Sequence, residues 1–214
     1  MGGLRAVAFC DLVTDLIQRL LDTDKKVNLI VCGTRSEFLV QLSAAIRSQR
    51  SEPGVSPRHD LLSKSIGLLA HSGRIRLTFC ASLESLRSYL AIMDPIDGCV
   101  TNSEMGPSPR PLLAILDLVA LHATTMEFAA QGLSRTLAAA VEAASRADMD
   151  LLLCECVNAV IPSSAEWGGK LWDTQIPLLN GSVRIRSEGN WGGHCVSIKQ
   201  VVQRWFMFDE ETRT

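Results

Sequence analysis

The 214-residue chain is poor in aromatic residues and has no long apolar run. Aromatic side chains make up 5% of the residues, and only one of them is tyrosine. A membrane-spanning helix needs about 20 consecutive apolar residues, and no stretch approaches that length. The basic start, apolar block and cleavage site of a signal peptide are missing from the first residues, MGGLRAVAFCDLV. The sequence therefore predicts neither a membrane span nor secretion.

A large charge of either sign is also absent. The formal net charge is -2, so no overall positive field attracts nucleic acid, and any such contact requires a local basic patch. The cysteines are odd in number and form no CxxC pair; they are Cys10, Cys32, Cys80, Cys99, Cys154, Cys156 and Cys195. A disulfide framework is therefore not predicted, and a reducing compartment, the cytosol or the nucleus, fits best.

The common catalytic and metal-binding patterns are missing as well. The four histidines show no HxxxH spacing, and no serine lies in a G-x-S-x-G turn. Cys154 and Cys156 are two residues apart, which places both sulfurs on one face of a strand and favours packing over metal binding. We therefore predict no catalytic residue, no metal site and no enzymatic activity.

The chain does have a clear alternation of apolar strands and amphipathic helices. Strands are predicted at 27–32, 75–80, 112–122 and 149–158, and helices at 4–21, 36–48, 61–71, 82–93 and 124–146. After residue 158 the pattern changes to strands without helices. The dipeptide Asn180-Gly181 indicates a hairpin, and residues 195–208 predict one long final strand.

This order predicts an α/β fold with a mostly parallel sheet flanked by helices and extended at one edge by C-terminal antiparallel strands. We expect a single domain over residues 1–214. Its parts are an N-terminal helix at 1–24, a βα core at 25–158, and a loop with antiparallel strands at 159–214.

The junction after the strand at 27–32 begins as a nucleotide-binding loop would. A phosphate loop reads G-x-x-x-x-G-K-[ST], but here Gly33-Thr34-Arg35-Ser36 leads into a helix without a second glycine or a lysine. Asp117 follows the apolar residues LLAIL, where a Mg²⁺-positioning carboxylate would lie, although an aspartate that only ends a buried strand also explains this position. We predict a degenerate nucleotide site at these five residues and no cofactor.

The order of elements resembles the RecA-like recombinase core, especially recombinase paralogues that lack a phosphate-binding loop. The similar parts are the strand at 27–32, the strand ending in Asp117, the helix containing AAQGLSRTLAAAVEAA, the strand DLLLCECVN, and the C-terminal IPLLNGSVRIR and VSIKQVVQRWFMFDEE. The resemblance implies a non-catalytic, nuclear subunit of a Shu-complex-type assembly, which helps load recombinase on single-stranded DNA. Its implied partners are another RecA-like paralogue and a SWIM-type zinc protein.

The resemblance also points to a DNA-facing loop at residues 158–172. Trp167 and Lys170 lie in it, and Arg184, Arg186 and Lys199 extend the basic character along the chain. Tryptophan stacking with backbone contacts is typical of single-strand binding. A solvated loop whose tryptophans pack on the sheet edge or a partner fits the same residues.

Partner binding is the second expectation for the C-terminal part, where aromatic residues concentrate. Trp191, Trp205, Phe206 and Phe208 are residue types favoured at interfaces, although core packing also accounts for some of them. On a strand, Trp205 and Phe206 would point to opposite faces.

Two other functions remain open at the level of sequence. A RecA-like subunit of an Elongator-type tRNA-modification assembly would share the fold and differ in its partners. An atypical ATPase would require Asp117 and would be stabilised by ATP, but the missing lysine disfavours it.

Overall fold

A computed structural model describes residues 3–50, 60–62, 65–93, 109–161, 168–179 and 195–208. Within those ranges, no helix has both the length and the apolar character needed to cross a membrane.

The strands, in chain order, are β1 Arg5–Ala8, β2 Val27–Val31, β3 Ile75–Phe79, β4 Leu112–Leu116, β5 Asp150–Cys154, β6 Gln175–Pro177, β7 Cys195–Ser197 and β8 Met207–Phe208. The helices are α1 Val13–Leu21, α2 Arg35–Arg50, α3 Ile66–Ser72, α4 Leu83–Ile92, α5 Leu118–Ala123, α6 Ala130–Arg146 and α7 Ile198–Val202. Short 3-10 segments occur at Asp60–Leu62 and Gly168–Asp173.

Six strands form one sheet in the order β3-β2-β4-β5-β1-β8. Every neighbouring pair in it is parallel. β6 and β7 pair antiparallel in a separate two-stranded sheet. The predicted α/β class with a mostly parallel sheet flanked by helices is thus confirmed. The antiparallel pair lies in a sheet of its own rather than on the edge of the large one.

Apolar side chains cover both faces of the sheet, as a buried parallel sheet requires. One core joins the sheet to α4, α6 and α7, through residues such as Leu86, Leu137 and Val202. The other joins it to α1 and α2, through Leu16, Phe38 and their neighbours. Each fully buried leucine contributes roughly 1.5–3 kcal/mol, so the helices are fixed mainly by these two layers.

The predicted N-terminal helix at 4–21 is wrong in its first half. Residues Arg5–Ala8 form β1, which lies between β5 and β8, and α1 begins only at Val13. The side chain of Asp150 at the start of β5 accepts a hydrogen bond from the Leu4 amide at 2.8 Å. A contact across 146 residues of sequence therefore anchors the segment that local periodicity assigned to a helix.

The predicted strand at 112–122 is also too long. β4 ends at Leu116, and Asp117 adopts a left-handed backbone, with φ 61° and ψ 36°, that starts α5. The helix predicted at 124–146 begins at Ala130. An apolar run of this length does not distinguish strand from helix, and the turn at Asp117 divides it into one of each.

The predicted final strand at 195–208 is replaced by a short strand, a helix and another short strand. The cause is a capping box at Ser197, whose hydroxyl accepts from the Gln200 amide at 3.3 Å while the Gln200 side chain accepts from the Ser197 amide. The Ser-x-x-Gln signal for this box is present in the sequence. The hairpin predicted at Asn180-Gly181 lies outside the described residues.

Candidate functional site

A cleft opens at the carboxyl ends of β2 and β4. The chain leaves β2 toward β3 on one side and leaves β4 toward β5 on the other, which makes this the kind of topological switch point where α/β sheets bind ligands. The cleft has a volume of about 370 Å³. It is the natural place in the described structure to look for a binding site.

The walls of the cleft are mainly apolar, with a few polar groups. Its apolar lining comes from Val13, Val31, Cys32, Phe38, Val40, Ala81, Leu116, Ala120, Leu121, Val160 and Ile161. Its polar lining comes from Thr34, Gln41, Thr124 and Asn158, together with the carboxylates of Glu37 and Asp117. No lysine, arginine or histidine of the described chain is among the lining residues. The lining of the cleft is therefore acidic.

Asp117 is the most deeply placed of these polar groups, with 7% of its surface exposed. Aspartate tolerates the left-handed backbone here better than most residues. Its Oδ1 accepts a hydrogen bond from the Cys156 amide at 3.0 Å. Burial raises the pKa of Asp117 to about 7, an effect that this hydrogen bond only partly offsets.

Glu155 is a second buried carboxylate beside Asp117. Its two oxygens accept hydrogen bonds from the amides of Val119 at 2.7 Å and Ala120 at 3.2 Å, in the first turn of α5. Burial, and then repulsion from Asp117, raise the pKa of Glu155 well above its usual range. The first turn of α5 is thereby satisfied by a carboxylate of the chain itself.

An acidic side chain also lies at the start of α2. Glu37 Oε2 accepts hydrogen bonds from the Thr34 amide at 2.8 Å and from its hydroxyl at 2.7 Å, and the Thr34 hydroxyl accepts from the Glu37 amide at 3.2 Å. These bonds to Thr34 lower the pKa of Glu37. The expected cap at Ser36 is wrong, because α2 already begins at Arg35.

The unit formed by β1 and α1, which the sequence did not reveal, is another strand-loop-helix junction where a phosphate loop could stand. Its connecting residues, Phe-Cys-Asp-Leu at 9–12, contain no glycine and no lysine. The carboxylate of Asp15 accepts from the Leu12 amide at 2.9 Å. This helix start, too, is bonded to an acidic side chain of the chain itself.

The structure brings together only part of the predicted nucleotide site. Gly33, Thr34 and Asp117 line the cleft, while Arg35 and Ser36 are exposed on α2 and are not part of its lining. Nucleotide-binding folds place phosphates on free N–H groups at helix starts. Here amides at the starts of α1, α2 and α5 already donate to acidic side chains of the chain, so these amides are not free for a phosphate.

The residues predicted to contact DNA are described only in part. Lys170 is exposed in the 3-10 segment Gly168–Asp173. Lys199 is half-buried on α7, with Nζ 5.4 Å from the centre of the Phe208 ring. Trp167, Arg184 and Arg186 lie outside the described residues, so the proposed basic patch stays a prediction.

The predicted partner-binding aromatics are largely packed inside the chain. Phe206 is buried, while Trp205 and Phe208 are half-buried against the same core. The Phe208 ring meets Trp172 edge-on at 5.4 Å and Phe9 at 5.9 Å. The strand on which Trp205 and Phe206 were expected to alternate is wrong, because both residues lie between α7 and β8. Trp191 is outside the described residues.

The two cysteines on either side of Glu155 pack as predicted. Their Sγ atoms are 3.7 Å apart, and both residues are buried in the core that contains α1 and α2. No cluster of three or more potential metal ligands occurs in the part of the chain that the structure describes. Glu155 itself was not identified as a site residue, although a glutamate between two buried strand positions was a usable signal.

The chain belongs to the SPAC22G7.03-like family, whose model matches residues 5–208. A comparison with curated proteins found no match. Among solved structures, the chain is similar to a DnaB-like replicative helicase, studied with its interactions with primase. The TM-score is 0.35 and the identity 15%, over 76% of this chain and 41% of the helicase. The chain therefore spans less than half of the helicase's length.

Proposed function

We propose that this protein is a non-catalytic RecA-like subunit of a DNA recombination and repair complex, in which it helps recombinase act on single-stranded DNA. The observation that carries the proposal is that acidic side chains of the chain itself are bonded to amides at three helix starts. Acidic side chains of Asp15, Glu37 and Glu155 accept from amides at or just before the starts of α1, α2 and α5, the part of a helix that nucleotide-binding folds present to phosphates. A fold of this class without a usable phosphate site is best suited to assembly.

An atypical ATPase is the competing function, and the acidic cleft argues against it. Mg²⁺ bound at Asp117 would bring a negatively charged nucleotide beside Glu37, with no lysine or arginine of the described lining to neutralise it. Thermal unfolding with and without MgATP separates the two functions. We expect no rise in the melting temperature, whereas a rise that disappears in Asp117→Ala would support the ATPase.

Affinity purification of tagged protein from its native cell, followed by mass spectrometry, tests the proposal itself. We expect another RecA-like paralogue and a SWIM-type zinc protein. Recovery of Elongator subunits would instead move the function to tRNA modification. A monomer that recovers no partner and does not bind DNA would contradict both assignments.

Binding to single-stranded DNA is the second part of the test. Lys170 is exposed and Lys199 is half-buried. With so few cations, we expect a modest affinity for single-stranded DNA that falls steeply as the salt concentration rises. Lys170→Ala should weaken binding for all base sequences equally, because a lysine contact to phosphate carries no base preference. An exposed lysine replacement elsewhere, Lys26→Ala, is the matched control.

A further inference from the structure

We propose that the cleft between β2 and β4 receives an arginine or lysine of a partner protein, together with an adjoining apolar side chain. The inference rests on the proposed function in one respect, because the cation is supplied by another subunit. It concerns a specific site that assembly alone does not require. Two independent features of the cleft, its charge and its exposed lip, lead to it.

The first feature is the charge of the cleft. Glu37 and Asp117 are its charged lining residues, and neither is within ion-pair distance of a cation in the described structure. Asp117 is almost fully buried, and one hydrogen bond, to the Cys156 amide, is found on its Oδ1. A cation on a long stem could reach this carboxylate and stabilise its ionised form. Charge complementarity therefore favours a basic group over an anionic one.

The second feature is the apolar lip of the cleft. Val40 and Val160 line it and are 54% and 51% exposed, and the adjoining Ile161 is 56% exposed. Arginine and lysine have apolar stems that bury well along such surfaces while the charged end is held elsewhere. An apolar neighbour on the partner would cover the lip. A single segment of protein can supply both groups, whereas a small metabolic amine would leave most of the lip uncovered.

Peptide binding followed by NMR tests this inference on the full chain. The probes are acetyl-Leu-Arg-Leu-amide and acetyl-Leu-Glu-Leu-amide, titrated into ¹⁵N-labelled protein. We expect the arginine peptide to produce saturable shifts at the amides of Gly33, Thr34 and Val160, and the glutamate peptide to bind at least tenfold more weakly. Equal binding of the two peptides, or shifts away from the cleft, would overturn the inference.

Two aspartates with left-handed backbones provide a matched pair of variants. Asp117→Asn keeps a residue that tolerates this backbone and an oxygen that can accept from the Cys156 amide, but it removes the charge in the cleft. Asp148→Asn makes the same change at an exposed position beside Arg110. We expect at least tenfold weaker binding of the arginine peptide to the first variant and unchanged binding to the second. Equal affinities would contradict a role for the Asp117 charge.

A second variant tests the apolar lip of the cleft. Val160→Lys introduces a cation at the lip without altering the buried core, and it should weaken the arginine peptide while leaving the melting temperature unchanged. Purification of complexes then separates the two proposals. Intact assembly with both variants would overturn the cleft as a partner site and leave the proposed function standing. Absence of any partner with the wild-type chain would count against the proposed function, whatever the peptides show.

Discussion

Acidic side chains at the two ends of the parallel sheet have different kinds of partners. At the amino ends of the strands, acidic groups have basic partners: Lys25 lies 2.7 Å from Asp150, Arg110 lies 2.7 Å from Asp148, and Arg74 lies 3.2 Å from Asp24. At the carboxyl ends, Asp15, Glu37 and Glu155 accept from backbone amides, and none of them forms an ion pair among the described residues. The three amino-end pairs are neutralised side chain to side chain, whereas these three acidic groups depend on helix starts.

This difference shows how the helix starts of a parallel α/β sheet can find partners without an external anion. Helix starts at the carboxyl ends of a parallel sheet carry free N–H groups and a partial positive charge. They can bind an external anion or a carboxylate of the chain. In this protein the second solution occurs at α1, α2 and α5. Acidic side chains of the chain therefore lie at the carboxyl end of the sheet.

The largest expected effect comes from removing the buried carboxylate at the α5 start. Glu155→Ala would leave the amides of Val119 and Ala120 without acceptors in the core, and we expect a loss of about 3 kcal/mol in the free energy of unfolding. Urea denaturation measures this loss. Glu142→Ala, at an exposed glutamate paired with Arg146 on α6, should change stability by less than about 0.5 kcal/mol. Similar losses in both variants would contradict the proposed capping role.

The second effect concerns pH. Because the folded state raises the pKa of Asp117 from 3.8 to about 7, it binds the proton more tightly than the unfolded chain. Stability therefore falls as pH rises through that interval. Asp117→Asn should remove part of this fall and increase stability at pH 8 by roughly 1–3 kcal/mol. Denaturation at several pH values tests it, and a variant with the wild-type pH profile would refute it.

The third effect concerns the ion pairs at the amino ends of the strands. Lys25→Ala would leave Asp150, whose side chain is only 10% exposed, without its cation. Since Lys25 is itself 30% exposed, we expect a loss of about 1 kcal/mol. Arg74→Ala is the control, because its partner Asp24 is 89% exposed, and its effect should be close to zero. Equal losses would show that burial of the acidic partner does not set the strength of these pairs.

The smallest effect is expected at the exposed start of α2. Glu37→Gln keeps one acceptor oxygen but loses the charge that interacts with the helix start, so about 0.5 kcal/mol of stability should be lost. Because the folded state lowers the pKa of Glu37, the stability it contributes is present above its ordinary value of 4.5 and is lost as pH falls below it. Denaturation at acidic pH should therefore show wild type and variant converging. A difference that persists at low pH would contradict the charge as the cause.

The fold class was predictable because apolar strands alternate with amphipathic helices through most of the chain. β2, β3 and β5 end within a few residues of their predicted limits. β2 and β5 are fully buried and read as nearly continuous apolar runs, whereas β3 is a partly exposed edge strand. The failures are short elements. β1 and β8 have only four and two residues, too few for a periodic signal, and the sheet neighbours decide their conformation.

The candidate site was predicted only in part for a related reason. Gly33, Thr34 and Asp117 follow strands and were identified by position. Glu155 was not, because its role depends on which helix start it meets across the sheet. Asp15 bonds locally to the Leu12 amide, and it was missed because the sequence placed one helix over residues 4–21. Glu155 reaches α5 over 36 residues of sequence, and no local pattern specifies such a contact.

By itself, the sequence determined that the chain forms a helix-flanked parallel sheet and lacks a phosphate-binding loop. Both follow from local information, namely the period of apolar residues and the residue types at one junction. Tertiary structure alone decided the order of the strands, the position of β1 inside the sheet, and the pairing of Glu155 with the start of α5. These features depend on distant segments meeting in space, where burial and hydrogen bonding outweigh the local preference of the chain.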